Sequence, residues 1–512
     1  MKIPSDKLHR LIRSLTPAEK RYFRIFIRGK TERDSKYLYL FELLEKNETM
    51  EEAVLRKKIY KSQVVEGKKF TELKAYLYDL ILKCLQSYEE QRSVSYRLNH
   101  LLQSVTVLFN RGLYEDCKEL LGKAIKIAKR YESFPHTLEI LRWEKQLAYV
   151  QMDVNFLHQH LERLQYEEER VQAQLRNVTA YRKAFFQVYT AIKREAQHRE
   201  ANRMAQLKAI LAQDIFKSPD LADSHTARVY YYRTLNLYHY AAQENARFYE
   251  TGIQLIALLE AQAHFLQENL SDYIAALSNL ILSCGLMGKF EEVRLCLAKL
   301  RSLTPNTKDD RQKIHRQYYT NLFALCTYTG AFEEARLEME QCRKEAAAFD
   351  QHDYETGSLI NQYCVICFGC GDYNSALDYL NQWLSAPRSV EREDLQSLAR
   401  IISLILHFEM GNHVLLDSLL RSTTRFMQVK NRYYDLEKHF IQCIAEALKC
   451  VSTREQQAVF QKMKTDLQRP EMAVVARTLL QTFDLDAWLE SKISSRTFAA
   501  CVKAKWGGES KK

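Results

Sequence analysis

Three cysteines spaced as Cys364-x-x-Cys367-x-x-Cys370 could ligate zinc or an iron–sulfur cluster. Such sites take four thiolate or imidazole ligands, and no fourth ligand is evident here. His158 and His160 are a second pair that invites a metal. Residues two apart on a helix point to different sides, so one ion does not easily reach both. The chain contains no glycine-rich nucleotide loop, no HExxH and no GxSxG. No pair of carboxylates forms a recognisable acid/base couple. These residues predict a protein without catalytic residues, metal or cofactor.

The remaining chemistry is that of surfaces. Thr16-Pro17-Ala-Glu19 reads as a capping box with proline in the first helical position, opening a helix to about Arg28. Tyr22, Phe23, Phe26 and Ile27 share its apolar side, and Lys20, Arg21, Arg24 and Arg28 run along the other. Lys7, Arg10 and Arg13 form a similar strip just before it. Helices over 35–46 and 50–61 follow, joined by Lys46-Asn47-Glu48-Thr49, with Thr49 and Glu52 as a second capping box. A helix over 66–88 then leads onward. A basic face and a tight turn suit a helix-turn-helix contact with nucleic acid. Glu51 and Glu52 lead the would-be recognition helix, where they repel phosphate. Nucleic acid is thus a possible partner that the residues do not favour over a solvated cap or an acidic protein. The module is similar to the N-terminal part of other large bacterial helical-repeat proteins.

Tyrosine is the other surface signal, with 30 residues. Tyr231, Tyr238 and Tyr319 are candidates to line a groove and stack on a bound peptide, since tyrosine joins a large apolar body to a polar tip. The alternative is that they pack helix against helix.

The elements that position these groups show as a repeat. Gly112-Leu-Tyr114-Glu-Asp-Cys117, Gly288-Lys-Phe290-Glu-Glu-Val293, Gly330-Ala-Phe332-Glu-Glu-Ala335, Gly371-Asp-Tyr373-Asn-Ser-Ala376 and Gly411-Asn-His413-Val-Leu-Leu416 say nearly the same thing. The last four glycines lie 42, 41 and 40 residues apart, and the 176 residues before them hold four periods of 44. A fixed period in this range marks an array of stacked units. After Gly330 the apolar residues Phe332, Ala335, Met339, Cys342, Ala346 and Phe349 keep to one helical face. The glycine ends one helix and the acids open the next. Weaker turns fit the same period at Met152-Asp153, Ala196–Glu200, Ala242–Asn245 and Val451–Glu455, predicting helices over 154–172, 200–213, 246–262 and 454–468. Cys284, Cys326 and Cys367 each stand nine residues before the anchors Val293, Ala335 and Ala376, and Cys117 is itself an anchor. Their regular place makes them small core hydrophobes.

These peptides resemble the tetratricopeptide repeat, most fully over residues 277–387 and also over 95–132 and 398–430. Gly371-Asp-Tyr373-Asn-Ser-Ala376 is nearly that family's turn, and Pro305 and Pro387 stand near its closing proline. The period departs from the usual value of about 34, and the family's tryptophan-leucine-glycine signature is missing. The resemblance implies a protein- or peptide-binding array without activity of its own.

Composition agrees with long helices. Only 14 Gly and 7 Pro occur in 512 residues, a third of the usual share of roughly 12%. No apolar run is long enough to span a membrane and no signal-peptide core follows Met1, so neither a membrane partner nor export is expected. Twelve cysteines spread through helices suit the cytoplasm. The net charge of +11 divides unevenly, with +7 in the first 95 residues, +4 in the last 25 and zero between them. The expected architecture is all-α. A basic helical module covers 1–94, and a right-handed α-solenoid of eight or nine TPR-like hairpins covers 95–487. A short basic helix and disordered tail cover 488–512. The expected function is a protein- or peptide-binding scaffold. The alternative is a regulator whose N-terminal module contacts nucleic acid while the array senses a peptide or protein.

Overall fold

The computed structural model describes residues 7–28, 36–46, 52–60, 67–89, 93–193, 200–347, 349, 357–385, 393–429, 435–468 and 483–507. The expected capping residue Thr49, the turn after Ala196, Pro387 and the tail after residue 507 lie outside them.

Hairpin formation begins with a local hydrogen-bond pattern. Gly112, Gly288, Gly330, Gly371 and Gly411 all adopt left-handed backbone, with φ from 70° to 78°. At each, the next amide donates to a carbonyl five residues back: Leu113 to Leu108, Lys289 to Cys284, Ala331 to Cys326, Asp372 to Cys367 and Asn412 to His407, at 2.9–3.1 Å. This closes the helix ends that would otherwise leave carbonyls unpaired. Met152 (φ 53°) and Gln243 (φ 62°) take the same conformation without being glycine. Asp153 donates to Ala148 and Glu244 to His239 in the same pattern. The weak turns seen in the sequence at these two places therefore close their helices in the same way.

The protein is all-α: among the described residues 25 α-helices pack in neighbouring pairs and no strand occurs. None of the described helices is long and apolar enough to cross a membrane. Packing divides the chain into two compact units, Met1–Ala180 with Ala222–Ala227, and Tyr181–Leu221 with Arg228–Lys512.

The first unit holds two cores. Helices Lys7–Ser14, Pro17–Arg28, Lys36–Lys46, Glu52–Ile59 and Gly67–Glu89 enclose Ile12, Phe23, Phe41, Phe70, Leu77 and Ile81. The capping box is present: Thr16 donates its amide to Glu19 Oε2 (2.6 Å), and Glu19 donates its amide to Thr16 Oγ1 (3.3 Å). The hairpin Val94–Phe109/Tyr114–Arg130 packs on Phe134–Val150 around Leu102, Cys117, Leu121 and Trp143.

In the second unit one continuous core joins hairpins His225–Ala242/Asn245–Glu260, Leu270–Leu286/Phe290–Ser302, Lys308–Thr329/Phe332–Ala346, Gly357–Gly369/Tyr373–Ser385, Glu393–Glu409/His413–Val429 and Asp435–Ala447/Thr453–Leu467. The anchors Val293, Ala335, Ala376 and Leu416 are all buried in it.

Two expectations need correction. The helix expected over 154–172 runs unbroken from Val154 to Lys193, 40 residues. That segment holds neither glycine nor proline, so nothing in it stops a helix. The boundary drawn after residue 487 falls inside the helix Leu485–Ser494. Trp488 is fully buried, and Phe498, Cys501 and Val502 of the next helix join the same core. Of the basic residues there, Lys492 turns in to Glu409, whereas Lys503 and Lys505 are exposed.

Candidate functional site

Cys364 and Cys367 are buried and Cys370 is half-buried. Burial pushes the Cys364 thiol up, Cys367 up to about 12 and Cys370 up to about 11. They are protonated packing groups rather than ready thiolate ligands. Cys284 and Cys326 sit in the same structural place and are also pushed to about 12 by burial. All twelve cysteines are free. His158 is exposed, whereas the His160 ring turns its edge to Phe156, 4.7 Å away. No set of three or more metal-capable side chains clusters among the described residues.

The basic strip of the N-terminal module is divided by packing. Lys20 and Arg24 both reach Glu45 on the helix Lys36–Lys46, Lys20 at 3.5 Å and Arg24 in a close ion pair. Arg24 also lies over the Phe41 ring. Arg21 and Arg28 stay exposed, flanking Ile25, which is itself 60% exposed. Glu52, read from sequence as a repulsive leading residue, is held by Lys74 at 2.8 Å and Arg56 at 3.9 Å. The exposed side of its helix is Ala53, Val54, Lys57 and Lys58.

Two candidate tyrosines are core residues. Tyr231 is 7% exposed, stacked on Phe216 and set edge-on to Tyr181 and Tyr232. The Tyr319 ring is fully buried against His315 and Phe323. Neither offers a flat face to a peptide, because their helices bury that side in the hairpin core. Tyr238 is half-buried beside His239.

Tyr319 nevertheless lines a cleft of about 490 Å³ with Arg301, Arg311, His315, Tyr318 and Glu345. Its position follows from local sequence. The helix Phe290–Ser302 stops where Leu303 turns extended (ψ 134°), and Pro305 bars its continuation. A Thr307/Asp310 capping box then starts the next helix, each amide meeting the other side chain at 3.0 Å. Leu303, Pro305, Ile314 and Phe349 give the cleft its apolar wall. Arg301 lies over the Tyr318 ring at 4.6 Å and donates to Glu345 Oε1 at 3.3 Å. Gln341 donates to the same oxygen at 2.9 Å, and His315 Nε2 stands 3.3 Å from the other.

Burial pushes His315 down to about 4, so it is neutral near pH 7. Burial opposes ionisation of Glu345, but the Gln341 hydrogen bond and the Arg301 charge hold its carboxyl below the usual range. Burial likewise pushes the Tyr319 hydroxyl up. The arrangement presents cations and an aromatic face beside an apolar wall, which is binding chemistry.

Arg301, His315 and Glu345 were missed in the sequence. One signal was available: Arg301 and Arg343 stand eight residues after the anchors Val293 and Ala335. Arg343 also meets a tyrosine, donating to the Tyr379 hydroxyl at 3.2 Å. No protein-family model matches the chain, and no curated protein is recognisably similar to it.

Proposed function

We propose that this chain is a non-catalytic scaffold whose hairpins from residue 95 onward stack as a TPR-like, right-handed solenoid and bind a protein or peptide. The observation that carries this reading is the cleft between successive hairpins, where Arg301 and Arg311 stand over an apolar wall. Stacked hairpins supply such grooves without any reactive group. The repeated turn geometry supports the TPR-like part of the reading. Twelve free, mostly buried thiols support action in the reducing cytoplasm.

A second reading, a nucleic-acid contact by the N-terminal module, is favoured by one observation. Glu52 is neutralised by Lys74 and Arg56, leaving Lys57 and Lys58 on the outer side of its helix.

Affinity capture of the full-length protein at moderate salt, with identification of both proteins and nucleic acid, tests the two together. A stoichiometric protein that is insensitive to nuclease supports the scaffold. Nuclease-sensitive recovery that falls with salt, and is lost when Arg21, Arg28, Lys57 and Lys58 become glutamate, replaces it with the second reading.

A further inference from the structure

We propose that the cleft at Arg301 and Arg311 takes a carboxylate-bearing peptide segment whose neighbouring bulky apolar side chain fills the space against Leu303, Pro305, Ile314 and Phe349. This rests on the scaffold reading and names the chemistry of its ligand. The charge around the cleft is unbalanced in a defined way. The Glu345 carboxylate is already met by Arg301, Gln341 and His315. His315 carries no charge of its own. Arg311 is exposed at the rim and has no ion-pair partner among the described residues. One positive charge is therefore left over, and a carboxylate entering beside it completes a charge-assisted pair.

The second, independent observation is the Tyr319 hydroxyl. The residue is fully buried, yet its hydroxyl sits near Arg301 and Glu345 without a well-directed hydrogen bond to either. A buried hydroxyl left this way costs stability unless a ligand oxygen meets it. A volume of about 490 Å³ exceeds what one ion needs and suits a leucine- or phenylalanine-sized side chain with its flanking backbone.

The carboxylate can come from a chain terminus or from an acidic side chain, and two probes separate these sources. One is fluorescein-labelled Gly-Ser-Gly-Ser-Gly-Leu-Phe with a free terminal carboxylate. The other is labelled Gly-Ser-Gly-Asp-Leu-Phe-Gly with an amidated end. A lysine-for-aspartate version of the second serves as control. Fluorescence polarisation with the full-length protein should show binding of one or both carboxylate probes and none of the control. Arg311→Glu should weaken that binding about tenfold or more. Tyr319→Phe should weaken it several-fold while leaving the thermal transition unchanged or higher, since it removes a poorly bonded hydroxyl.

Equal binding of the control, or unchanged binding by both variants, overturns the proposal. If no carboxylate probe binds while the wild type still captures a stoichiometric protein, the cleft assignment fails and the scaffold reading stands.

Discussion

Replacing three glycines by alanine separates backbone strain from close packing. Gly371 has φ 78° and nothing within 4 Å of the position a Cβ would take. Gly371→Ala should therefore cost only the left-handed penalty, about 1 kcal/mol. Gly330 has nearly the same φ, 73°, but its Cβ would lie 2.7 Å from Lys503 Cγ and 3.1 Å from both Ala499 O and Lys503 N. The lysine stem can swing aside. The two backbone atoms belong to the helix Phe498–Gly507 and must retreat with it. That adds about 1–2 kcal/mol of overpacking, for a total of about 2–3 kcal/mol.

Gly369 ends a helix with ordinary backbone, so alanine there should gain slightly in propensity. Its Cβ would instead stand 2.5 Å from Phe332 Cε1 and closer still to Cγ and Cδ1. The Phe332 ring is 2% exposed and packs on Phe498, 5.5 Å away. It has nowhere to go, and Gly369→Ala should cost about 3 kcal/mol or more. Denaturation of the full chain gives the order Gly369→Ala, Gly330→Ala, Gly371→Ala, from most to least harmful. Because several units can unfold separately, hydrogen exchange supplies the decisive readout. Gly330→Ala should speed exchange over 498–507 while Gly371→Ala leaves it unchanged. If both behave alike over 498–507, the packing argument is refuted.

Three further outcomes follow from the same contacts. Glu437 is buried, and burial raises its carboxyl from 4.5 to about 7. Both states are protonated below pH 4.5. Between 4.5 and 7 the unfolded chain ionises first, so stability should fall by about 3 kcal/mol across that window and level off above it. Glu437→Gln should flatten this slope in denaturation measured from pH 4 to 8. Glu409 accepts from Trp488 Nε1 at 2.6 Å and from Lys492 Nζ at 2.7 Å. Glu409→Ala should cost about 2 kcal/mol and shift Trp488 emission to the red, because it strands the buried Trp488 indole N–H and leaves the partly exposed Lys492 unpaired. Glu45→Ala frees Lys20 and Arg24, which are partly exposed, and should cost no more than about 1 kcal/mol in a denaturation curve that salt narrows further.

How much was legible depended on range. The Thr16/Glu19 cap and the glycine turns were readable because every hydrogen bond involved spans five residues or fewer. The apolar spacing after Phe332 put Ala335, Met339 and Cys342 in the core because a helix repeats every 3.6 residues. The 40-residue helix exceeds the expected 154–172 because the repeat period calls for a hairpin there, while the segment itself holds no glycine or proline to end the helix.

The sequence alone determined the all-α class, the helix-turn-helix rhythm and the burial of the repeated cysteines, since each follows from φ, local hydrogen bonds and helical periodicity. Only the tertiary structure decided which acid claims Lys20 and Arg24. It also decided that Trp488 and Lys492 meet Glu409 some 80 residues away, and that Arg301, His315 and Glu345 converge on Tyr319. Those meetings depend on how one hairpin packs on the next, and side-chain volumes at the contact set that geometry rather than any pattern along the chain.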